Sequence, residues 1–129
     1  MWELTKSFRF DAAHTLQRSI DTASSRRIHG HSYRAEVTLR GEPDPKTGMV
    51  IDFGLLEKAL AEARDGLDHH MLDEVPDLGL ATMENLAAWI WRRLAPVTKG
   101  LVKVTVFRDS QDESVTYHES DRGSSLRSR

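Results

Sequence analysis

The chain predicts an α+β domain: an antiparallel sheet covered on one face by two helices. Three observations carry that expectation. Apolar and polar residues alternate with period two over residues 2–10 and 29–40, as half-buried strands do. Apolar residues recur at helical spacing over 56–67 and again over 82–94. Two short apolar stretches near the C-terminus flank a tight polar turn, the pattern of a hairpin. Strands therefore come in two pairs, separated by a helix pair, rather than alternating singly with helices.

In the first strand, Trp2, Leu4, Phe8 and Phe10 oppose Glu3, Thr5, Ser7 and Arg9. Residues 15–27 are polar and irregular and read as a loop. Over 29–40, His31, Tyr33, Ala35, Val37 and Leu39 share one face, with Ser32, Arg34, Glu36, Thr38 and Arg40 on the other. Residues 41–48 (GEPDPKTG) are turn chemistry, and Met49 to Phe53 read as a short strand. Leu56, Leu60, Ala63 and Leu67 mark the buried stripe of the first helix. Residues 68–81 read as a loop. Thr82 is the expected N-cap of the second helix, which runs to Leu94, ahead of Pro96, and buries Leu86, Ile90 and Leu94. Leu101–Phe107 and Ser114–Tyr117 are the last two strands. One domain spans 1–119. Residues 120–129 (SDRGSSLRSR) have no apolar pattern and predict a disordered tail. A sheet of about four strands has two edges to be paired, covered or charged, so pairing between copies is expected.

Composition narrows the function. The 129 residues are 39% hydrophobic and 29% charged, ordinary for a globular domain. A net charge of −2 and a pI near 6.3 supply no basic face for nucleic acid or an anionic membrane. Apolar runs are too short to span a bilayer, and Met1-Trp2-Glu3-Leu4 does not begin a signal-peptide pattern. There is no cysteine. That excludes disulfides and thiolate metal sites and fits a cytoplasmic protein.

Four groups could carry chemistry. His29 and His31, at i and i+2 on a strand, project from one face, and His14 is a loop away. Three imidazoles with one open position form a catalytic rather than a structural zinc site. Two imidazoles on an apolar face are costly without a partner, which favours a metal over plain core histidines, though ligand type alone admits copper, nickel or iron. Asp68-His69 is a carboxylate beside an imidazole, suited to acid–base work but equally a polar helix end. Thr82-Met83-Glu84-Asn85 is explained by capping alone. Asp109-Ser110 could grip an amidine-like ligand edge through two hydrogen bonds or be a polar turn.

Taken in order, these motifs resemble the 6-pyruvoyltetrahydropterin synthase family, which includes the bacterial 6-carboxytetrahydropterin synthases of queuosine biosynthesis. The likeness runs from Phe8 to Tyr117. It rests on Phe10-Asp11-Ala12-Ala13-His14, His29-Gly30-His31, Gly48-Met49-Val50-Ile51-Asp52-Phe53, Leu67-Asp68-His69 and Thr82-Met83-Glu84-Asn85. The resemblance implies a T-fold whose subunits form barrels, assembled as a hexamer of two trimers with active sites at subunit interfaces. It implies zinc on His14, His29 and His31, a catalytic pair in Asp68 and His69, and a pterin pocket formed by Asp109, Ser110, Thr82 and Glu84. Asp109 stands where the family has a longer glutamate.

The family's catalytic cysteine lies four residues before His29, at Ser25, or at Ser24 if the loop shifts by one. A hydroxyl is a much weaker acid than a thiol, so Ser25 is at most a weak proton relay. The implied reaction is zinc-dependent carbon–carbon cleavage of 7,8-dihydroneopterin triphosphate to 6-carboxytetrahydropterin, acetaldehyde and triphosphate. Arg26, Arg27 or Lys6 would receive the triphosphate. Without the thiol, two alternatives stand: cleavage to a folate-type 6-hydroxymethylpterin, or pterin or purine binding without turnover. Ser24 and Ser25 offer no carboxylate near the cysteine position, which counts against the first.

Overall fold

Alternation produces the strands, and one long pairing organises the rest. The computed structural model describes residues 1–16, 23 and 26–119. Strand β1 (Trp2–His14) pairs antiparallel with β2 (His29–Gly41) from Trp2 opposite Gly41 to His14 opposite His29. Strand β2 pairs with β3 (Leu101–Arg108), and β3 with β4 (Glu113–His118), giving the order β1-β2-β3-β4. Helices α1 (Phe53–Asp65) and α2 (Met83–Leu94) lie between β2 and β3 in sequence and pack on one face of the sheet.

The core forms between that face and the helices. Phe10, Tyr33, Val37, Leu39, Val104 and Val106 meet Leu56, Leu60, Leu86, Trp89, Ile90 and Leu94, all buried. Phe10 and Tyr33 stack with centroids 4.9 Å apart. Each such side chain contributes about 1.5–3 kcal/mol when fully buried, so this face sets the strand register. The opposite face is polar. There Arg34 lies over the Phe107 ring at 3.8 Å, beside Arg9 and Asp109. Among the described residues, no helix is long and apolar enough to cross a membrane.

Four boundaries differ from expectation. Strand β1 continues past Phe10 to His14, paired with β2 on one edge and bound by the 69–71 backbone on the other: the His69 N–H donates to the Asp11 carbonyl at 2.7 Å, and the Ala13 N–H to the His70 carbonyl at 3.1 Å. Met49–Phe53 is not a strand. The 44–49 turn closes on itself through the Gly48 N–H to the Asp44 carbonyl at 2.7 Å. Asp52 then caps α1 by accepting the Gly54 N–H at 2.7 Å, so Phe53 opens the helix. The 68–81 loop contains a 3-10 turn, Leu72–Glu74. Of the stretch 15–27, the described Ala23 and Arg26 are helical. Ser24, Ser25 and residues 120–129 lie outside the described residues.

Candidate functional site

Pairing of β1 with β2 places His14 directly opposite His29, on the face shared with Ala12 and Phe10, while His31 follows two positions along. Their Nε2 atoms converge: His14 lies 2.9 Å from His29 and 3.1 Å from His31. His14 is buried and the other two are partly so.

The tautomers follow from the backbone. His14 Nδ1–H donates to the Ala81 carbonyl at 2.8 Å, and His29 Nδ1–H to the Arg27 carbonyl at 2.8 Å. A carbonyl only accepts, so the proton of each neutral ring sits on Nδ1 and leaves Nε2 bare. Burial lowers the His14 pKa, and burial, with the nearby Arg108 charge, lowers that of His31 to about 4. With each neutral ring's proton on Nδ1, the bare Nε2 lone pairs of His14 and His29 face each other across 2.9 Å. A cation fits there. Ligands about 2.05 Å from a tetrahedral zinc lie about 3.3 Å apart, a few tenths of an ångström wider than the observed spacing. The carbonyls on Nδ1 orient the rings as they do around bound metals.

Asp68 and His69 sit at the end of α1 against the edge of β1. Asp68 accepts the Asp11 N–H at 2.9 Å and pairs with Arg64 at 3.0 Å. The Asp11 N–H, foremost, and the Arg64 charge hold its carboxyl below the usual range, against some desolvation. His69 has φ 59° and is 79% exposed, 3.9 Å from Asp68. The Asp11 carboxylate, which accepts the Ser32 hydroxyl, joins the pair. Asp11, Ser32 and His69 line a cleft of about 480 Å³ with Gly30 and His31. Neighbouring strand residues point to opposite faces. Asp11 and Ser32 belong to the polar face, whereas the His31 imidazole meets His14 on the buried face. In one chain His69 therefore clusters with Asp11 and Asp68, and the histidine trio forms a separate group.

Thr82 and Glu84 line a second cleft, of about 330 Å³, with His14, Arg108 and Glu113. Thr82 caps α2, accepting the Asn85 N–H at 3.1 Å, and the preceding Ala81 carbonyl holds His14. Asp109 is elsewhere: on the polar face it accepts two hydrogen bonds from Arg34, at 2.9 and 3.0 Å, which hold its carboxyl below the usual range. Ser110 follows in an exposed turn. Lys6 lies eight positions before His14 in β1, roughly 26 Å at strand rise.

Several contacts were not foreseen from the sequence. Arg64 precedes Asp68 by four, a helical ion-pair spacing that was legible. Arg108 follows Val104 and Val106 at period two, which already put a charge on the buried face. Asp73 accepts both the Thr15 N–H and hydroxyl, at 3.0 and 2.6 Å, pinning the end of β1 beside His14; nothing in the sequence signalled it.

The family model described as 6-pyruvoyl tetrahydropterin synthase matches residues 3–120. The chain belongs to that family. It is 37% identical over 99 residues to the 6-carboxy-5,6,7,8-tetrahydropterin synthase of Synechocystis sp., covering 73% of this chain and 75% of that protein. It is 41% identical over 95 residues to the human 6-pyruvoyl tetrahydrobiopterin synthase, covering 69% and 65%. It is 36% identical over 95 residues to the dihydroneopterin monophosphate aldolase of Pyrococcus furiosus, covering 74% and 76%. Among solved structures, the Caenorhabditis elegans 6-pyruvoyl tetrahydropterin synthase superimposes with TM-score 0.79 at 30% identity, over 92% of this chain and 96% of that one. The four-stranded antiparallel sheet with two helices is therefore the T-fold of this family.

Proposed function

We propose that this chain is a zinc-dependent lyase of the 6-carboxytetrahydropterin synthase type, acting in the cytoplasm on 7,8-dihydroneopterin triphosphate for queuosine or related pterin biosynthesis. The convergence of three bare imidazole nitrogens beside the Thr82–Glu84 cleft, in a chain of this family, carries the proposal. An all-imidazole set with backbone-held Nδ1 atoms suits zinc. When bound, zinc supplies Lewis-acid polarisation of a side-chain oxygen.

The chain's own groups supply the remainder. His69 moves protons at the side-chain carbons, and Asp68, kept ionised, orients it and balances its charge. Asp109 lies on the polar face, away from the Thr82–Glu84 cleft, so it grips the amino-pyrimidine edge of a ligand shared with a second copy, in exchange for its two hydrogen bonds from Arg34. Thr82 and Glu84 wall the pocket. Ser25 serves at most as a weak relay. The triphosphate meets Arg26 or Arg27. Because His69 clusters with Asp11 and Asp68 rather than with the trio in one chain, a second copy brings Asp68 and His69 to the metal. This is the role we give to a homohexamer of two trimers.

A second reading is favoured by the absence of cysteine. Side-chain cleavage without a thiol leaves 6-hydroxymethyldihydropterin, and the aldolase relative makes that route relevant. Binding without turnover is the third. Incubation of the zinc-loaded protein with 7,8-dihydroneopterin triphosphate, followed by mass spectrometry, separates them. Acetaldehyde with a 6-carboxypterin is the expected result. A 6-hydroxymethylpterin establishes the second reading, and unchanged bound substrate the third.

A further inference from the structure

Arg108 ends β3 on the buried face, following Val104 and Val106 at alternate positions, and its side chain is only 17% exposed. Long cationic side chains on such a face normally carry their head group out to water. This one turns toward the histidine trio. One terminal nitrogen, Nη1, lies 3.2 Å from His31 Nε2, and the other pairs with Glu113. The third nitrogen, Nε, is buried and has no acceptor among the described residues. A buried donor left unsatisfied costs about 1–3 kcal/mol, so such a group calls for an acceptor.

The His31 contact is the telling one. A bare Nε2 has a single lone pair. It accepts either the Arg108 N–H or a metal, never both. Metal binding at the trio therefore removes an acceptor from Arg108 and brings positive charge beside it. The guanidinium then keeps Glu113 and the neighbouring Tyr33 hydroxyl, loses the His31 acceptor on Nη1, and still has an unpaired Nε–H. Glu113 is its one carboxylate partner among the described residues. The missing complement is a small anion with oxygen acceptors, seated between the trio and Arg108 in the cleft that also holds Thr82, Glu84 and Ser114.

We infer that Arg108 is the receptor for an oxyanion carried on the ligand next to the metal. Resting on the pterin reading above, this makes Arg108 the residue that favours a carboxylate at the pterin's C6 substituent over a neutral hydroxymethyl group. The burial of Arg108 suits a group attached directly to the ring rather than a triphosphate trailing into solvent.

The test is equilibrium binding to the zinc-loaded full chain, with 6-carboxypterin and 6-hydroxymethylpterin as probes. Wild-type protein is expected to bind the carboxylate at least tenfold more tightly. Charge-assisted hydrogen bonds of this kind are worth about 10- to 100-fold in affinity. Arg108→Met should lose that factor for 6-carboxypterin and change 6-hydroxymethylpterin by less than threefold, with Arg108→Lys intermediate. Because Arg108→Met strands Glu113, the double variant Arg108→Met/Glu113→Gln is measured beside it, with zinc content and thermal melting as checks of folding. Equal losses for both probes, or none, overturn the inference. So does a response confined to inorganic triphosphate, which would make Arg108 a phosphate contact. Wild-type protein that binds both pterins equally overturns the inference while leaving the pterin reading intact. Binding of neither pterin overturns both.

Discussion

Thr82→Ala separates two roles that the geometry gives one residue. Thr82 Oγ1 accepts the Asn85 N–H at 3.1 Å and so caps α2. The adjoining Ala81 carbonyl receives the His14 Nδ1–H at 2.8 Å. Loss of a threonine cap costs about 1 kcal/mol. For a 129-residue chain, an unfolding entropy of about 2.1 cal/mol/K per residue gives about 0.27 kcal/mol/K, so Tm should fall by about 4 °C. Calorimetry on metal-free protein measures this directly, and Thr82→Ser should melt near wild type. Fraying the first turn also loosens the carbonyl that orients His14. Losing such an outer partner outright costs 10- to 100-fold in metal affinity, so a partial loss, up to about tenfold, is expected here. An unchanged Tm, with the defect confined to pterin binding, would refute the coupling and make Thr82 a ligand contact alone.

Two further outcomes follow from the same structure. Gly100 has φ +84° and a Cβ there would meet the Arg40 carbonyl oxygen at 2.3 Å. The left-handed conformation alone costs a substituted residue about 1–2 kcal/mol, so Gly100→Ala should lower the urea midpoint by the equivalent of at least 2 kcal/mol; an unchanged midpoint contradicts the close approach of Gly100 to the Arg40 backbone. Asp68 has a folded pKa below its unfolded value, chiefly through the Asp11 N–H and then Arg64. Its stabilising contribution is therefore present above the unfolded value near 3.9 and is lost as pH falls through the folded one. Asp68→Asn should flatten Tm against pH below about pH 4, and an identical acid limb in the variant argues against that pairing.

Periodicity made most of the fold legible. The alternation of Tyr33, Ala35, Val37 and Leu39 places them on the buried face, and Thr82 begins α2 as expected. The i, i+2 histidines and His14 do converge. What stayed hidden depends on contacts distant in sequence. Ala12 and Ala13 are poor strand formers, and β1 reaches His14 because β2 pairs with it on one edge and the 69–71 backbone binds the other. Asp52 converted an apparent strand into a helix start through one side-chain hydrogen bond. The strand pleat sets Asp11 and Ser32, which meet Asp68 and one another, on the face away from the imidazoles. That separation is invisible without the register of β1 against β2.

The central claim is that three Nε2 atoms hold one metal ion. Metal analysis of the purified protein, after equilibration with zinc and gel filtration, tests it most directly. One zinc per chain is predicted for wild type, with stoichiometric binding abolished in His14→Ala and His31→Ala. Variants that are folded yet retain one zinc per chain would contradict the assignment.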